Sequence, residues 1–403
     1  MAAATSTGAP RLSSGHAAFA LALLLGLQPV TTDVYLPALP LLTRELAAPM
    51  PLVQLTMSAL ILAFGVAQLL CGPLADRVGR RPVLLGGLAL YLVASIGATL
   101  APGIEWLVAW RVLQGAALAA VIVCARAIVR DLYEPVQGAQ VMTRAMGGLG
   151  VIALASPLLG GLVAAAAGWR GALALVAAVG AAALLYVAWR LPETLHERNP
   201  RALQPGPLLR NWWAVLRERQ FRAWALLVAC TYGGLFTVLA SSSFVYMDLL
   251  GLSPGAYGAT MAVGSASYIA GTLACQRWIP RLGLAGTVRR GAWFTLAGGA
   301  LVVGVWAAGL HQVWAVLAAQ CLFLFGHGQH QPVGQAGVVA PFPRAAGAAS
   351  ALAGFVLAAV AFAIGRWLGV AMDGSLRPLA LGLGFWALLT ALTAWTLVQR
   401  AAR

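Results

Sequence analysis

The chain has 403 residues, is 61% hydrophobic and is only 9% charged, against about 25% charged in an ordinary globular domain. With a mean hydropathy of +0.85, this excludes a soluble protein built around one large core and points to an integral membrane protein. The net charge of +15 raises the question of nucleic acid, which the placement of the basic residues answers below. All 26 of these are Arg; the absence of Lys, beside so much Ala and Gly, reads as the bias of a GC-rich bacterial genome. The five cysteines, Cys71, Cys124, Cys230, Cys275 and Cys321, sit in or beside apolar runs with no CxxC spacing. That argues against a disulfide framework or a zinc site.

A membrane helix needs about 20 mostly apolar residues. Twelve such segments are predicted, at about 17–41, 52–72, 83–101, 106–126, 141–165, 171–191, 223–246, 256–276, 291–309, 313–335, 347–371 and 378–398. The first begins like a secretory signal, with Arg11 before the run Ala17 to Leu27, but no small-x-small cleavage site follows. The longest polar stretch, 192–222, divides the chain into two six-span halves, 1–191 and 223–403, joined by a linker. Within it "LLRNWWAVLRERQF" (208–221) has the composition of an amphipathic helix lying at a membrane interface. The fold class expected is thus all-α integral membrane, with both termini cytoplasmic.

The arginines support that orientation. With a cytoplasmic N-terminus, 21 fall on the inner side, Arg44, Arg170 and Arg377 on the outer, and Arg111 and Arg366 within spans. This is the positive-inside distribution, and it assigns the net charge to topology and anionic lipid rather than to nucleic acid. The halves also carry a weak repeat: Cys71 and Cys275 each close a span and each precede an Arg-rich turn, a pattern expected of transporters built from two related halves.

Four stretches carry chemistry. "TTDVYLPALP" (31–40) places Asp33 inside the first span, between Pro29 and Pro37. "GPLADRVGRRPVL" (72–84) lies between spans two and three. There Gly72 and Gly79 permit tight turning, Asp76 can sit against a helix N-terminus, and Arg80 and Arg81 can pair with acids or lipid. "WRVLQGAALAA" (110–120) puts Arg111 inside span four, with Gln114 and Leu118 on the same helix face and Gly115 open to helix approach. "GGLGVIALASPLLGG" (147–161) puts Pro157, Gly160 and Gly161 in span five, where small residues allow close packing and the proline weakens the helix.

Together these resemble the major facilitator superfamily. The 72–84 loop is similar to its span two–three motif, and Arg111 with Gln114 and Gly115 to the span-four motif of its proton-coupled drug exporters. Pro157, Gly160 and Gly161 match the span-five antiporter motif, although Ser156 stands where that pattern has Gly. "TTDVYLPALP", "SSSFVYMDLLGLSP" (241–254) and "GAASALAGF" (347–355) resemble signatures of the Bcr/CflA drug:proton antiporters. The resemblance covers essentially the whole chain. It implies alternating access, a cavity between the halves, and a cytoplasmic gate in which Asp76 meets the start of span eleven near Arg344 to Gly347.

Asp33 is the only acidic residue well inside a predicted span. It lies ~12 Å and Arg111 ~8 Å from the outer membrane face, at ~1.5 Å per residue, so a direct or water-mediated link between them is possible. The expectation is a proton-coupling pair; the alternative is a static structural pair. In span ten, "FGHGQHQPVGQ" (325–335) offers His327, His330 and Gln331 on neighbouring faces near Pro332. These residues form a substrate-cavity wall, a proton relay, polar packing between helices, or part of a metal site. The last lacks a third ligand, since Asp248 and Asp373 lie at the opposite face. Tyr232 in span seven is a further candidate cavity residue. The function expected is export of small hydrophobic drugs from bacteria across the inner membrane, driven by the proton gradient with no bound cofactor or metal, by a protein acting as a monomer. A metabolite transporter on the same fold is the alternative. A membrane-embedded enzyme lacks a nucleophile–base set at a common depth.

Overall fold

The computed structural model describes residues 14–195, 197–343 and 345–401. These residues form helices and connecting turns, with no strand among them. In chain order they are α1 (Ser14–Asp33), α2 (Leu39–Glu45), α3 (Met50–Val78), α4 (Arg80–Thr99), α5 (Ile104–Leu132), α6 (Pro135–Arg190), α7 (Pro205–Arg217), α8 (Arg219–Ser243), α9 (Pro254–Ala307), α10 (Val313–Val339), α11 (Ala346–Ala371), α12 (Arg377–Trp395) and α13 (Leu397–Ala401). Nine helical segments among the described residues are long and apolar enough to cross a membrane. α10, with its His- and Gln-rich run, is not one of them.

Two of the nine are far longer than one crossing. A straight helix of 56 residues would extend about 84 Å, against a hydrocarbon thickness of about 30 Å. α6 and α9 are both interrupted, at Gly168 (φ 65°, ψ −168°) and Gly283 (φ 66°, ψ −179°), conformations open to glycine and costly for side chains. Gly283 follows Cys275 at the same spacing as Gly79 (φ 124°) follows Cys71. The weak repeat therefore has a structural counterpart: each copy ends a helix and begins the next at a positive-φ glycine.

The first predicted span does not run on as one helix to residue 41. α1 ends at Asp33, a single 3₁₀ turn covers Leu36–Ala38, and α2 resumes at Leu39. Pro37 lies in the turn, whereas Pro29 sits inside α1. The polar stretch 192–222 holds α7, an exposed helix on which Leu209, Trp213 and Leu216 face outward and Val215 is buried.

Among the helices before residue 191, α1 packs on α6, and α5 packs on α3 and α4. Among those after residue 219, α8 packs on α10, α11 and α12, and α9 on α10 and α12. Two long antiparallel contacts join the groups, α3 with α11 and α6 with α9. Leu100, Trp106, Trp189, Trp314 and Val370 are all highly exposed. So large an apolar surface is stable only against lipid.

Candidate functional site: a buried arginine hub and a seam acid

Arg111 is fully buried on α5. Its Nε donates to the Thr56 carbonyl of α3 (3.2 Å), its Nη2 to the Thr31 carbonyl of α1 (3.2 Å), and its Nη1 to Gln114 Oε1 (2.7 Å). The guanidinium also lies 4.4 Å from the Tyr35 ring centroid. The Thr31 carbonyl is available because α1 stops at Asp33, and the last carbonyls of a helix have no partner within it. A cation there also complements the negative end of the helix dipole. The polar chain continues from Gln114 Nε2 to Ser95 Oγ (2.7 Å) and from Ser95 Oγ to the Tyr91 carbonyl (2.7 Å). The Thr31 hydroxyl donates to the Leu27 carbonyl, which leaves the Tyr91 hydroxyl to donate to Thr31 Oγ1 (2.6 Å). Tyr35 closes the other side through Thr56 Oγ1 (2.8 Å). One arginine thus ties together α1, α3, α4 and α5, and the network leaves its members satisfied, the condition under which buried polarity is tolerated.

Asp33 is not part of this hub. Its Oδ1 accepts from Thr32 Oγ1 (2.7 Å), and no ion pair joins it to Arg111 among the described residues. It is half-buried at the end of α1. The turn that follows it, Leu36–Ala38, packs on α6 of its own group and on α8 and α9 of the other. The acid therefore lies near the seam between the two helix groups, while the arginine is enclosed within one. Tyr257 escaped the sequence reading because nothing in "SPGAY" marks it. Its hydroxyl bonds to Ser242 Oγ (2.8 Å) and it is fully buried.

The remaining predicted cavity residues divide. Tyr232 and Gln331 are partly exposed, and Gln331 Oε1 has no protein partner among the described residues. Gln114 and Leu118 are buried inside the first helix group, so neither reaches open space in this conformation. His327 Nδ1 bonds to Thr231 Oγ1 (2.9 Å) and its ring lies 5.5 Å from that of Tyr268. His330 Nε2 bonds to Thr295 Oγ1 (3.0 Å). Both imidazoles are buried between α8, α9 and α10, the placement of polar packing between helices. No cluster of three metal-ligating side chains occurs among the described residues.

The loop motif lies at the far end of the bundle. Arg80 bridges Asp76 Oδ1 (2.6 Å) and Asp131 Oδ2 (3.0 Å). The Arg81 side chain donates to the Leu191 (2.8 Å) and Ala188 (3.0 Å) carbonyls, the free C-terminal end of α6, and forms no ion pair among the described residues. Glu193 accepts from the Arg80 (3.0 Å) and Arg81 (3.2 Å) amides and so caps α4. A side chain at Gly79 would strike Glu193. Asp76 is 45% exposed at its side chain; a Cβ at Gly347 would meet nothing within 4 Å. The expected contact of Asp76 with span eleven is therefore not made at Gly347, and Arg344 lies outside the described residues. Gly72 faces only Val123, within its own group.

Partial burial alone would raise the Glu193 carboxyl. The amides of Leu195, Thr194, Arg80 and Arg81 outweigh it and hold the group below its ordinary value of 4.5. A lowered folded value means the stabilisation is complete above pH 4.5 and fades as pH falls through the folded value. Glu193→Ala is expected to cost about 1–2 kcal/mol, the usual worth of a helix cap. The check is thermal unfolding in detergent, where the deficit present at pH 7 narrows once the buffer is acidified below pH 4.5.

Pro157, Gly160 and Gly161 belong to the opposite end from the Asp76 loop. A Cβ at Gly160 would lie 2.4 Å from the Val34 carbonyl oxygen, one at Gly161 2.3 Å from that of Pro254, and one at Gly258 2.5 Å from that of Pro157. Backbone therefore touches backbone where α6 crosses α9 and the turn after α1. The same end carries an ion pair between Arg44 and Asp248, across the two groups. The α3–α11 contact runs from Pro51 against Gly369, through Ser58 with Gly365 and Gly65 with Ala358, to Gln68 with Gly354. Beyond it, Leu74 and Val78 are exposed. The seam is sealed at the Arg44 end.

A family model described as Major Facilitator Superfamily matches residues 21–366. The chain is 30% identical over 346 residues to multidrug resistance protein D of Escherichia coli, covering 83% of each. It is 32% identical over 324 residues to the chloramphenicol resistance protein of Pseudomonas aeruginosa, covering 79% of this chain and 75% of that one. Its fold is similar to that of a D-xylose–proton symporter, with a TM-score of 0.74 at 15% identity, over 96% of this chain and 97% of the other. Its all-helical architecture, its loop motif and these matches agree: the chain belongs to the major facilitator superfamily, and within it to the Bcr/CflA branch.

Proposed function

We propose that the chain is a proton-coupled exporter of small hydrophobic drugs in a bacterial inner membrane. The observation that carries this is Asp33: a carboxylate with no ion-pair partner among the described residues, half-buried near the seam between two helix groups, above which the seam is sealed. A carboxylate placed so can exchange a proton with the open side and bind a cationic or polar drug group in competition with it. Tyr232 and the apolar seam supply the broad, weakly directional surface that drug binding needs. The relatives named for multidrug and chloramphenicol resistance support the substrate class.

In this reading the bundle has twelve spans, since Gly168 and Gly283 each divide one long helix into two and α10 adds one. Residues 1–191 and 223–403 form the halves, and 192–222 is a cytoplasmic linker bearing α7. Both termini are cytoplasmic. The Arg80 end then faces the cytoplasm, and the conformation is inward-open. The protein works as a monomer and takes its energy from the proton gradient, without a cofactor.

The test is growth of an efflux-deficient host expressing the protein, across a drug panel with and without an uncoupler. Protection that collapses with the proton gradient supports export. Protection against no compound returns the chain to metabolite transport on the same fold.

The seal yields a second prediction. Gly161→Ala drives a methyl group into the Pro254 carbonyl and wedges α6 from α9. Drug export is expected to fall about tenfold or more, because a 1–3 kcal/mol overpacking penalty acts on the sealed state alone. A cysteine introduced at Arg44 should then react faster with a membrane-impermeant thiol reagent from outside. Unchanged reactivity would remove the seal from the mechanism.

A further inference from the structure

A cavity of about 550 Å³ lies away from the seam, lined by Leu282, Gly286, Arg289, Arg290, Trp293 and Trp395. It sits where α9 restarts after Gly283 and where α12 ends. Its walls are tied together. Trp395 Nε1 donates to the Arg289 carbonyl (3.0 Å), Gln399 Nε2 to the Ala285 carbonyl (2.8 Å), and the Trp293 and Trp395 rings lie 4.7 Å apart. The Arg290 guanidinium is stacked 3.9 Å above Trp278, which limits the side chain's freedom before anything binds.

Charge and polarity are arranged in layers. Arg289 and Arg290 are exposed at the start of the helix. Trp293, 63% exposed, stands one turn further along it. Neither arginine has an ion-pair partner among the described residues. Beyond Asp248 the chain has a single acid, Asp373, and it precedes α12, whose 19 residues put it about 28 Å from Trp395.

We propose that this cavity binds one anionic phospholipid. Arg289 and Arg290 hold its phosphodiester, a bidentate match of guanidinium to phosphate. The first methylenes of its chains lie on Trp293, Trp395 and Leu282. A soluble anion would use the arginines and leave the aromatic wall bare; a neutral lipid would use the wall and leave two cations unpaired. Only an amphiphile with an anionic head satisfies both. The site requires that the protein lie in a membrane and is independent of what it transports.

The test uses the full-length protein in detergent, with bound lipid counted by native mass spectrometry. Three ligands are titrated: phosphatidylglycerol, phosphatidylcholine and inorganic phosphate. The wild type is expected to hold one phosphatidylglycerol more tightly than any phosphatidylcholine. Arg289→Gln with Arg290→Gln should weaken that one by about tenfold or more. Arg281→Gln with Arg400→Gln removes the same charge outside the cavity and should leave it intact. Trp293→Ala should weaken it with both arginines present, which guards against misfolding of the arginine variant. Equal loss from both arginine pairs would reduce the site to nonspecific surface charge, and displacement by inorganic phosphate would make it a free-anion site. Either result overturns the proposal.

Discussion

Asp33→Asn is expected to remove most proton-driven export while leaving the protein at normal abundance in the membrane. Asparagine keeps the size of the side chain and an acceptor for Thr32, but it cannot release or take up a proton. The substitution is structurally mild because Asp33 has no ion-pair partner to strand. Uptake of drug into inverted vesicles under an imposed proton gradient is expected to fall by about a hundredfold, the loss of a mechanism rather than of a contact. Downhill exchange of drug, which needs no proton, should survive in part. Coupled export at the wild-type rate in Asp33→Asn would refute the assignment.

Arg111→Ala is expected to have the opposite profile, with the folded protein itself depleted. The substitution strands the Thr31 carbonyl and Gln114 Oε1 in a dry interior, removes a second bond from the Thr56 carbonyl and takes the cation from over Tyr35. Each buried unsatisfied group costs about 1–3 kcal/mol. Two such groups together cost about 2–6 kcal/mol, a large part of a typical folding stability. Reduced membrane abundance and a lowered unfolding midpoint are the readouts. Lysine keeps the charge but cannot reach three acceptors in one plane, so Arg111→Lys should recover only part of the loss. A double-mutant cycle with Asp33→Asn separates the geometry from a simple charge pair. Two residues without a direct link should add within about 0.5 kcal/mol. Rescue of Arg111→Ala by Asp33→Asn would mean that the two charges oppose each other after all.

That contrast marks the boundary of sequence reasoning here. Asp33 and Arg111 stand out in sequence because a charged residue inside an apolar run is costly, and their similar depths invite pairing. The partners Arg111 uses are largely main-chain carbonyls, which every residue type carries, so no pattern of side chains announces them. Ser95 and Tyr91, which complete the hub, read as ordinary members of an apolar span. Glu193 lies 113 positions from Arg80, in a stretch that reads only as linker, yet its carboxylate holds the turn at Gly79. The His327 and His330 pair was conspicuous for the same reason as Asp33, but a threonine hydroxyl bonds one nitrogen of each ring, and His330 Nδ1 has no partner among the described residues. A hydroxyl can partner an imidazole nitrogen without marking the span that carries it as polar.

What the sequence determined by itself is the membrane class, the positions of the apolar segments, the bias of arginine toward one side, and the motifs that identify the superfamily. Length, hydropathy and charge asymmetry act locally and add along the chain, so they survive without coordinates. The tertiary structure alone decided that α1 stops at Asp33, that the acid lies near the seam while the arginine is enclosed, and that Gly160 and Gly161 pack backbone on backbone at one end of it. These follow from which backbones can touch. Contact between Gly161 and Pro254 or Gly65 and Ala358 sets how the helices cross, and the crossing decides which carbonyl a guanidinium can reach.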